Sequence, residues 1–93
     1  MDDPPRRGVD RYVNVQIKLF AMARELAGSP QIQVQLNEGA CVADLRRALI
    51  EQVPALADMA PHIVFAINAD YADDNAIIPP AAEVACIPPV SGG

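Results

Sequence analysis

From Tyr12 onward the chain alternates. Val13, Val15, Ile17 and Leu19 fall at every second position, with Asn14, Gln16 and Lys18 between them, which is the period of a half-buried strand. Phe20 then lands on the polar face, out of step with the pattern. AMAREL, residues 21–26, is rich in helix formers and is followed by Gly28, a residue suited to the left-handed position after a helix. It predicts one or two helical turns, broken by Ser29 and Pro30. QIQVQL restores the alternation with Ile32, Val34 and Leu36 facing inward, so two strands form a wide hairpin joined by a connection of about ten residues. Asn37-Glu38-Gly39 closes the second strand with turn chemistry.

The next period is helical. Val42, Leu45, Leu49 and Val53 recur at the spacing of one helix face, beside Ala48, while Asp44, Arg46, Arg47 and Glu51 take the polar positions. Arg46 and Arg47 read as a solvated face. The N-cap is poor, because Cys41 stands where Ser, Thr or Asp is favoured, and Pro54 ends the helix. Ala55 to Pro61 reads as a loop or frayed turn. HIVFAIN is strongly β-prone and predicts a central strand buried on both faces, with His62 at its edge. ADYADDNAII predicts a short irregular return with an acidic turn, and AEVACI a last strand. PPVSGG cannot extend that strand, since neither proline offers a ladder N–H. One long helix must cover the apolar face of a mixed sheet of about five strands. This is an α+β chain with the β-grasp arrangement of ubiquitin-like domains. Residues 1–11 are expected to be a disordered extension, 12–87 the domain, and 88–93 an extended tail.

Composition narrows the function. Ninety-three residues, just over half of them hydrophobic, make one domain that folds without metals or disulfide staples. The formal charge of -5 argues against nucleic acid and anionic membranes and suits a partner with a basic surface. Cys41 and Cys86 are too few for a disulfide framework and read as small buried apolar residues, which fits a reducing cytoplasm. No run approaches the roughly 18 apolar residues that span a bilayer. MDDPPRRGVDR lacks the apolar core of a secretory signal, so a cytoplasmic protein is expected.

The usual catalytic equipment is missing. There is one histidine and no phosphate-cradling or metal-binding motif. Asp73-Asp74 lacks the further oxygen ligands of a calcium loop and reads as a solvated turn. What remains is the tail. At an average glycine usage of ~7%, a terminal Gly-Gly arises by chance in roughly 0.5% of chains. Here it follows a strand and a stiff Pro88-Pro89 that favours an extended path. Val90 and Ser91 can make side-chain contacts, and Gly92 and Gly93, lacking Cβ, can thread a narrow channel into another protein. The group delivered is the α-carboxylate of Gly93. An ATP-using partner must activate it as an acyl-adenylate before a sulfur donor can attack, giving a thiocarboxylate whose sulfur is nucleophilic. Accidental glycines at an idle terminus are the plain alternative.

LFAMARELAG, Asn68 in FAIN and above all EVACIPPVSGG resemble the MoaD/ThiS-type sulfur carriers, most nearly those that serve as the small subunit of molybdopterin synthase. The resemblance runs from about Val13 to Gly93. It implies that Gly93 is adenylated by a ubiquitin-activating-like adenylyltransferase and thiocarboxylated by a sulfur donor protein. It implies further that the tail enters the large synthase subunit, in a complex of two large and two small subunits. There the sulfur passes to cyclic pyranopterin monophosphate. Carried over by position, Gly92 and Gly93 match the terminal pair, and Pro88, Pro89, Val90 and Ser91 the inserted tail. Phe20, Tyr71 and Ile87 match positions in apolar contact with partners, and Arg24 one near the activating enzyme. The family implies no cofactor held by this chain; the ATP belongs to the activating partner. The N-terminal extension, Cys41 and the PPAA turn before Glu83 depart from the family pattern. Three other outcomes stay open: sulfur delivery to thiamine thiazole or transfer RNA, a ubiquitin-like protein modifier, and a plain interaction domain with no chemistry. Lys18 is the single lysine, which disfavours polymers linked through internal lysines.

Overall fold

The computed structural model describes residues 12–89; the expected N-terminal extension 1–11 and the tail residues Val90, Ser91, Gly92 and Gly93 lie outside the described residues. The elements run β1 (Tyr12–Leu19), α1 (Ala21–Ala27), β2 (Gln31–Asn37), α2 (Val42–Gln52), β3 (Val64–Ile67), β4 (Asp70–Ala72) and β5 (Glu83–Ile87), with 3-10 turns at Pro54–Leu56 and Ala60–His62 between α2 and β3. The strands form one sheet in the order β2-β1-β5-β3-β4. β1 and β5 are parallel, and the other neighbours antiparallel. This is the β-grasp arrangement expected from the pattern.

Alternation explains β1 directly: Val15, Ile17 and Leu19 are buried, while Asn14, Gln16 and Lys18 are exposed. In α2, Val42, Leu45 and Leu49 pack onto the same sheet face and are fully buried; each such side chain contributes about 1.5–3 kcal/mol relative to exposure. Phe65 from β3 and Val84 and Cys86 from β5 complete the layer beneath the helix. Short α1 ends where Gly28, at φ 74°, donates its N–H to the Arg24 carbonyl at 2.9 Å.

Two strand expectations are corrected. HIVFAIN is not the central strand. β3 lies one place from the sheet edge, and the centre belongs to β5. Nor is it buried along the whole of both faces: Phe65 points into the core and Ala66 is buried on the open side, but Val64 on that side is 44% exposed. The helices cover one face only, so a run of β-formers cannot be covered twice. His62 sits in the 3-10 turn before β3 rather than on a strand edge.

The start of α2 is better capped than its sequence suggests. The Asp44 carboxylate accepts the Cys41 N–H at 3.0 Å and its thiol at 3.4 Å. The N–H groups of Val42 and Ala43 donate at 3.0 Å each to the carbonyls of Ala76 and Asp74, on the loop after β4. These long-range partners satisfy donors that a local cap would otherwise have to serve. Cys41 is half-buried as a result, whereas Cys86 is fully buried as expected.

Arg46 and Arg47 divide. Arg47 lies on the solvated face and pairs with Asp44. Arg46 turns inward, its side chain 19% exposed. It donates to the carbonyls of Ala60 at 2.5 Å and Ile63 at 2.8 Å, and to Asp74 at 2.6 Å, with its guanidinium 5.1 Å from the Phe65 ring centroid. Asp74 is therefore a buttress of the acidic turn rather than a merely solvated carboxylate.

Two tight turns complete the sheet. β3 and β4 are joined by Asn68-Ala69, both in the left-handed region at φ 51° and 74°, as a two-residue type I′ hairpin requires. The Asn68 N–H donates to the Glu83 carbonyl at 2.8 Å, and its side-chain oxygen accepts the Glu83 N–H at 3.0 Å, which locks the start of β5. The PPAA segment forms a turn in which the Ala82 N–H donates to the Pro79 carbonyl at 3.2 Å, with Ala81 at φ 61°.

Candidate functional site

The open face of the sheet sorts into rows across the strands. Because Val84 and Cys86 face the core, Ala85 and Ile87 face outward. The register then aligns Lys18, Ala85, Ala66 and Tyr71 in one row, and Ile87 with Val64 in the next. The row at the opposite end joins Gln33, Gln16 and Glu83. Polar residues thus occupy the start of β5, and apolar ones gather where β5 ends.

Phe20 joins the apolar end. Leu19 is level with Cys86 in the parallel pair, so one step further sets Phe20 beside Ile87. Its backbone is still extended, at φ -122° and ψ 155°, and Ala21 at φ 51° then turns the chain into α1. The ring is 47% exposed, and Tyr71 is 78% exposed. Ile87 is half-buried and Pro88 buried, while Pro89 is exposed. Val64, Tyr71, Ile87, Pro88 and Pro89 together line a shallow apolar groove. Exposed apolar residues scattered singly need no explanation, whereas these are contiguous.

The expected site residues therefore fall into groups. Phe20, Tyr71, Ile87, Pro88 and Pro89 lie at one end of the open face. Arg24 is exposed on α1, the helix that begins directly after Phe20. Val90, Ser91, Gly92 and Gly93 lie outside the described residues. Val64 also belongs to the patch; β-propensity alone places it in a doubly buried strand, whereas the alternation within IVFAI, with Phe65 inward, is the signal that turns it outward. Met22 and Leu26 are exposed on α1 as well, and their spacing of four places them on one helical face.

Charge around the patch is chiefly acidic. Asp70 and Asp73 flank Tyr71 and are exposed, and Lys18 is engaged by Glu83 at 3.2 Å. Burial pushes the Cys86 thiol up to about 11, so beneath the patch it remains an un-ionised core group. The arrangement can bind and present; it holds no nucleophile of its own among the described residues.

Comparison with known proteins gives the arrangement a context. The model of the ThiS family matches residues 17–93. The molybdopterin synthase sulfur carrier subunit of Arabidopsis thaliana is 36% identical over 81 residues, covering 87% of this chain and 84% of that protein. SAMP1 from Haloferax volcanii superposes with a TM-score of 0.76 at 33% identity, covering 86% of this chain and 99% of that one. A putative molybdopterin converting factor subunit 1 from Pyrococcus furiosus gives a TM-score of 0.73 at 28% identity, with 84% and 99% coverage. An apolar groove beside Pro88 and Pro89 at the end of the central strand of a β-grasp sheet thus coincides with a family match over most of the sequence: the chain belongs to the ThiS family of sulfur carriers and is closely related to the small subunit of molybdopterin synthase.

Proposed function

We propose that the chain carries sulfur as a thiocarboxylate on Gly93 and delivers it within a molybdopterin synthase, in the cytosol. A ubiquitin-activating-like adenylyltransferase joins the Gly93 carboxylate to the α-phosphate of ATP, releasing pyrophosphate. A hydrosulfide equivalent from a sulfur donor protein attacks the acyl carbon and displaces AMP, leaving the thiocarboxylate and a released proton. The tail then enters the large subunit, in a complex of two large and two small subunits. The sulfur passes to cyclic pyranopterin monophosphate, and water restores the carboxylate. Within this scheme Phe20, Tyr71 and Ile87 dock the partner, Arg24 faces the activating enzyme, and Pro88 to Ser91 lead Gly92 and Gly93 into the cavity. The small subunit supplies the sulfur and the large one the catalytic side chains.

The observation that carries this reading is the placement of the tail root. The central strand β5 ends at Ile87, with Pro88 and Pro89 in a groove walled by Val64 and Tyr71 and with exposed Phe20 one residue past the partner of Cys86, so a partner gripping the patch also receives the residues that follow. The test is intact-mass analysis after incubation with the activating enzyme, ATP and a sulfur source. The expected result is a mass gain equal to one oxygen-to-sulfur exchange, abolished by deleting Gly93 or adding a residue after it. A second reading is favoured by the likeness to SAMP1, which is named a small archaeal modifier protein in its Haloferax structures. In that case the same assay in cell extract shows Gly93 joined to a protein lysine and no sulfur exchange. An unchanged mass with a competent activating enzyme refutes both.

A further inference from the structure

We infer that Val64 is a positioning residue for sulfur transfer: with Tyr71 it braces Pro88 and Pro89, the last described residues before the sulfur-bearing end. The inference rests on the reading of the tail as the sulfur-bearing arm.

Neither neighbouring ladder extends to these prolines. The last register pair between β3 and β5 is Val64 with Ile87. Since Asn68 N–H donates to the Glu83 carbonyl, the mutually hydrogen-bonded pairs recur at every second residue from there, through Ala66–Ala85 to Val64–Ile87. The next would need an N–H from Pro89, which has none. Successive residues of a central strand address opposite neighbours, so Pro88 is the residue that faces β1. β1 ends at Leu19, and the Phe20 carbonyl is occupied by the N–H groups of Ala23 at 3.1 Å and Arg24 at 3.4 Å. The two prolines therefore remove one donor toward each neighbour, and both ladders stop together.

Beyond Ile87, side-chain contacts and the fixed φ of proline take over the ladder's role. Pro88 is buried, and the groove it shares with Pro89 is walled by Val64 and Tyr71. Val64 suits a brace. It stands across from the last bonded residue of β5, and its branched Cβ restricts χ1 to few rotamers. Its 44% exposure on the open face means that the core, served on β3 by Phe65, does not need it. Val64 and Tyr71 share one groove, so aiming is read at saturating partner, where docking no longer limits the rate.

The test measures single-turnover sulfur transfer from thiocarboxylated carrier to substrate over a range of large-subunit concentrations. Val64→Ala is expected to lower the rate at saturating large subunit by about tenfold, as a small misplacement of reacting groups does. The melting temperature should stay close to wild type, the loss should persist at saturating large subunit whatever the half-saturating concentration does, and Val64→Ile should restore the rate. If Val64→Ala fails to fold, Val64→Leu, which keeps apolar volume but not the branch, takes its place with the same expected loss. In the free carrier, nuclear Overhauser contacts are expected between the Val64 methyls and the Pro88 or Pro89 ring. A wild-type rate at saturation, a loss confined to the half-saturating concentration, or absent contacts would each overturn the inference. If wild-type protein accepts no sulfur at all, the sulfur-carrier reading fails instead, and the Overhauser contacts still decide whether Val64 braces the tail.

Discussion

Replacing Arg46 and Arg47 separately by Met isolates the effect of where a side chain points. The two residues are adjacent, identical and in the same helix. Arg46→Met removes the donor for the Ala60 and Ile63 carbonyls and the partner of Asp74. A hydrogen bond to a charged group is worth about 1.5–3 kcal/mol. Asp74 is 56% exposed and regains water, so its loss adds little. Met keeps apolar contact over Phe65 but forfeits the cation–π attraction, worth about 0.5–2 kcal/mol. Counting the two carbonyls near the low end of their range gives a destabilisation of about 3 kcal/mol. For a domain of this size that lowers Tm by roughly 12–24 °C. Arg47→Met breaks only an exposed i,i+3 pair with Asp44, worth about 0.3–0.5 kcal/mol. Urea denaturation of both variants, with thermal melts read by circular dichroism, gives the comparison. If the two free energies lie within about 1 kcal/mol of each other, the bracing role of Arg46 is wrong.

Ala69→Gly and Ala81→Gly should each stabilise the fold by about 0.5–1 kcal/mol in urea titration, because an L-residue in the left-handed region costs about 1–2 kcal/mol and glycine returns part of that gain through unfolded-state entropy; a loss of stability in either variant would contradict the turn assignments. Phe20→Ala should weaken binding of the large subunit by about 2 kcal/mol, or roughly 30-fold, with Tm little changed; calorimetric titration reads the affinity, and unaltered binding excludes the patch as an anchor. The Asp44 carboxyl is held below its ordinary value of 3.8 chiefly by the Cys41 N–H, then by the Cys41 thiol and the nearby Arg47 charge. A depressed carboxylate stabilises the fold in full above its unfolded value, and that stabilisation drains as pH falls through the folded one. Denaturation midpoints of wild type should therefore drop below pH 3.8 more steeply than those of Asp44→Asn, and parallel curves would refute the cap.

Local pattern made much of this molecule legible. The period-two runs of β1 and β2, the helical period of α2 and the stop at Pro54 are properties of neighbouring residues, and burial followed them. The out-of-step Phe20 already marked an outward apolar residue. The errors share one cause. Val64 was misplaced because β-propensity records a preference for a pleated surface and cannot tell a core face from an exposed patch. The start of α2 looked poorly capped because its N–H groups find carbonyls on the loop after β4, more than thirty residues further along the chain.

The sequence by itself determined the element order, the inward face of most elements and the presence of a Pro-Pro tail ending in glycines, since these depend on periodicity and on the intrinsic geometry of single residues. Only the tertiary structure decided that β5 occupies the centre of the sheet, that Arg46 turns inward while Arg47 does not, and that Val64, Tyr71 and Ile87 line one groove with Pro88 and Pro89. Those outcomes depend on strand register and on partners distant along the chain, and no local pattern encodes which strand will lie beside which.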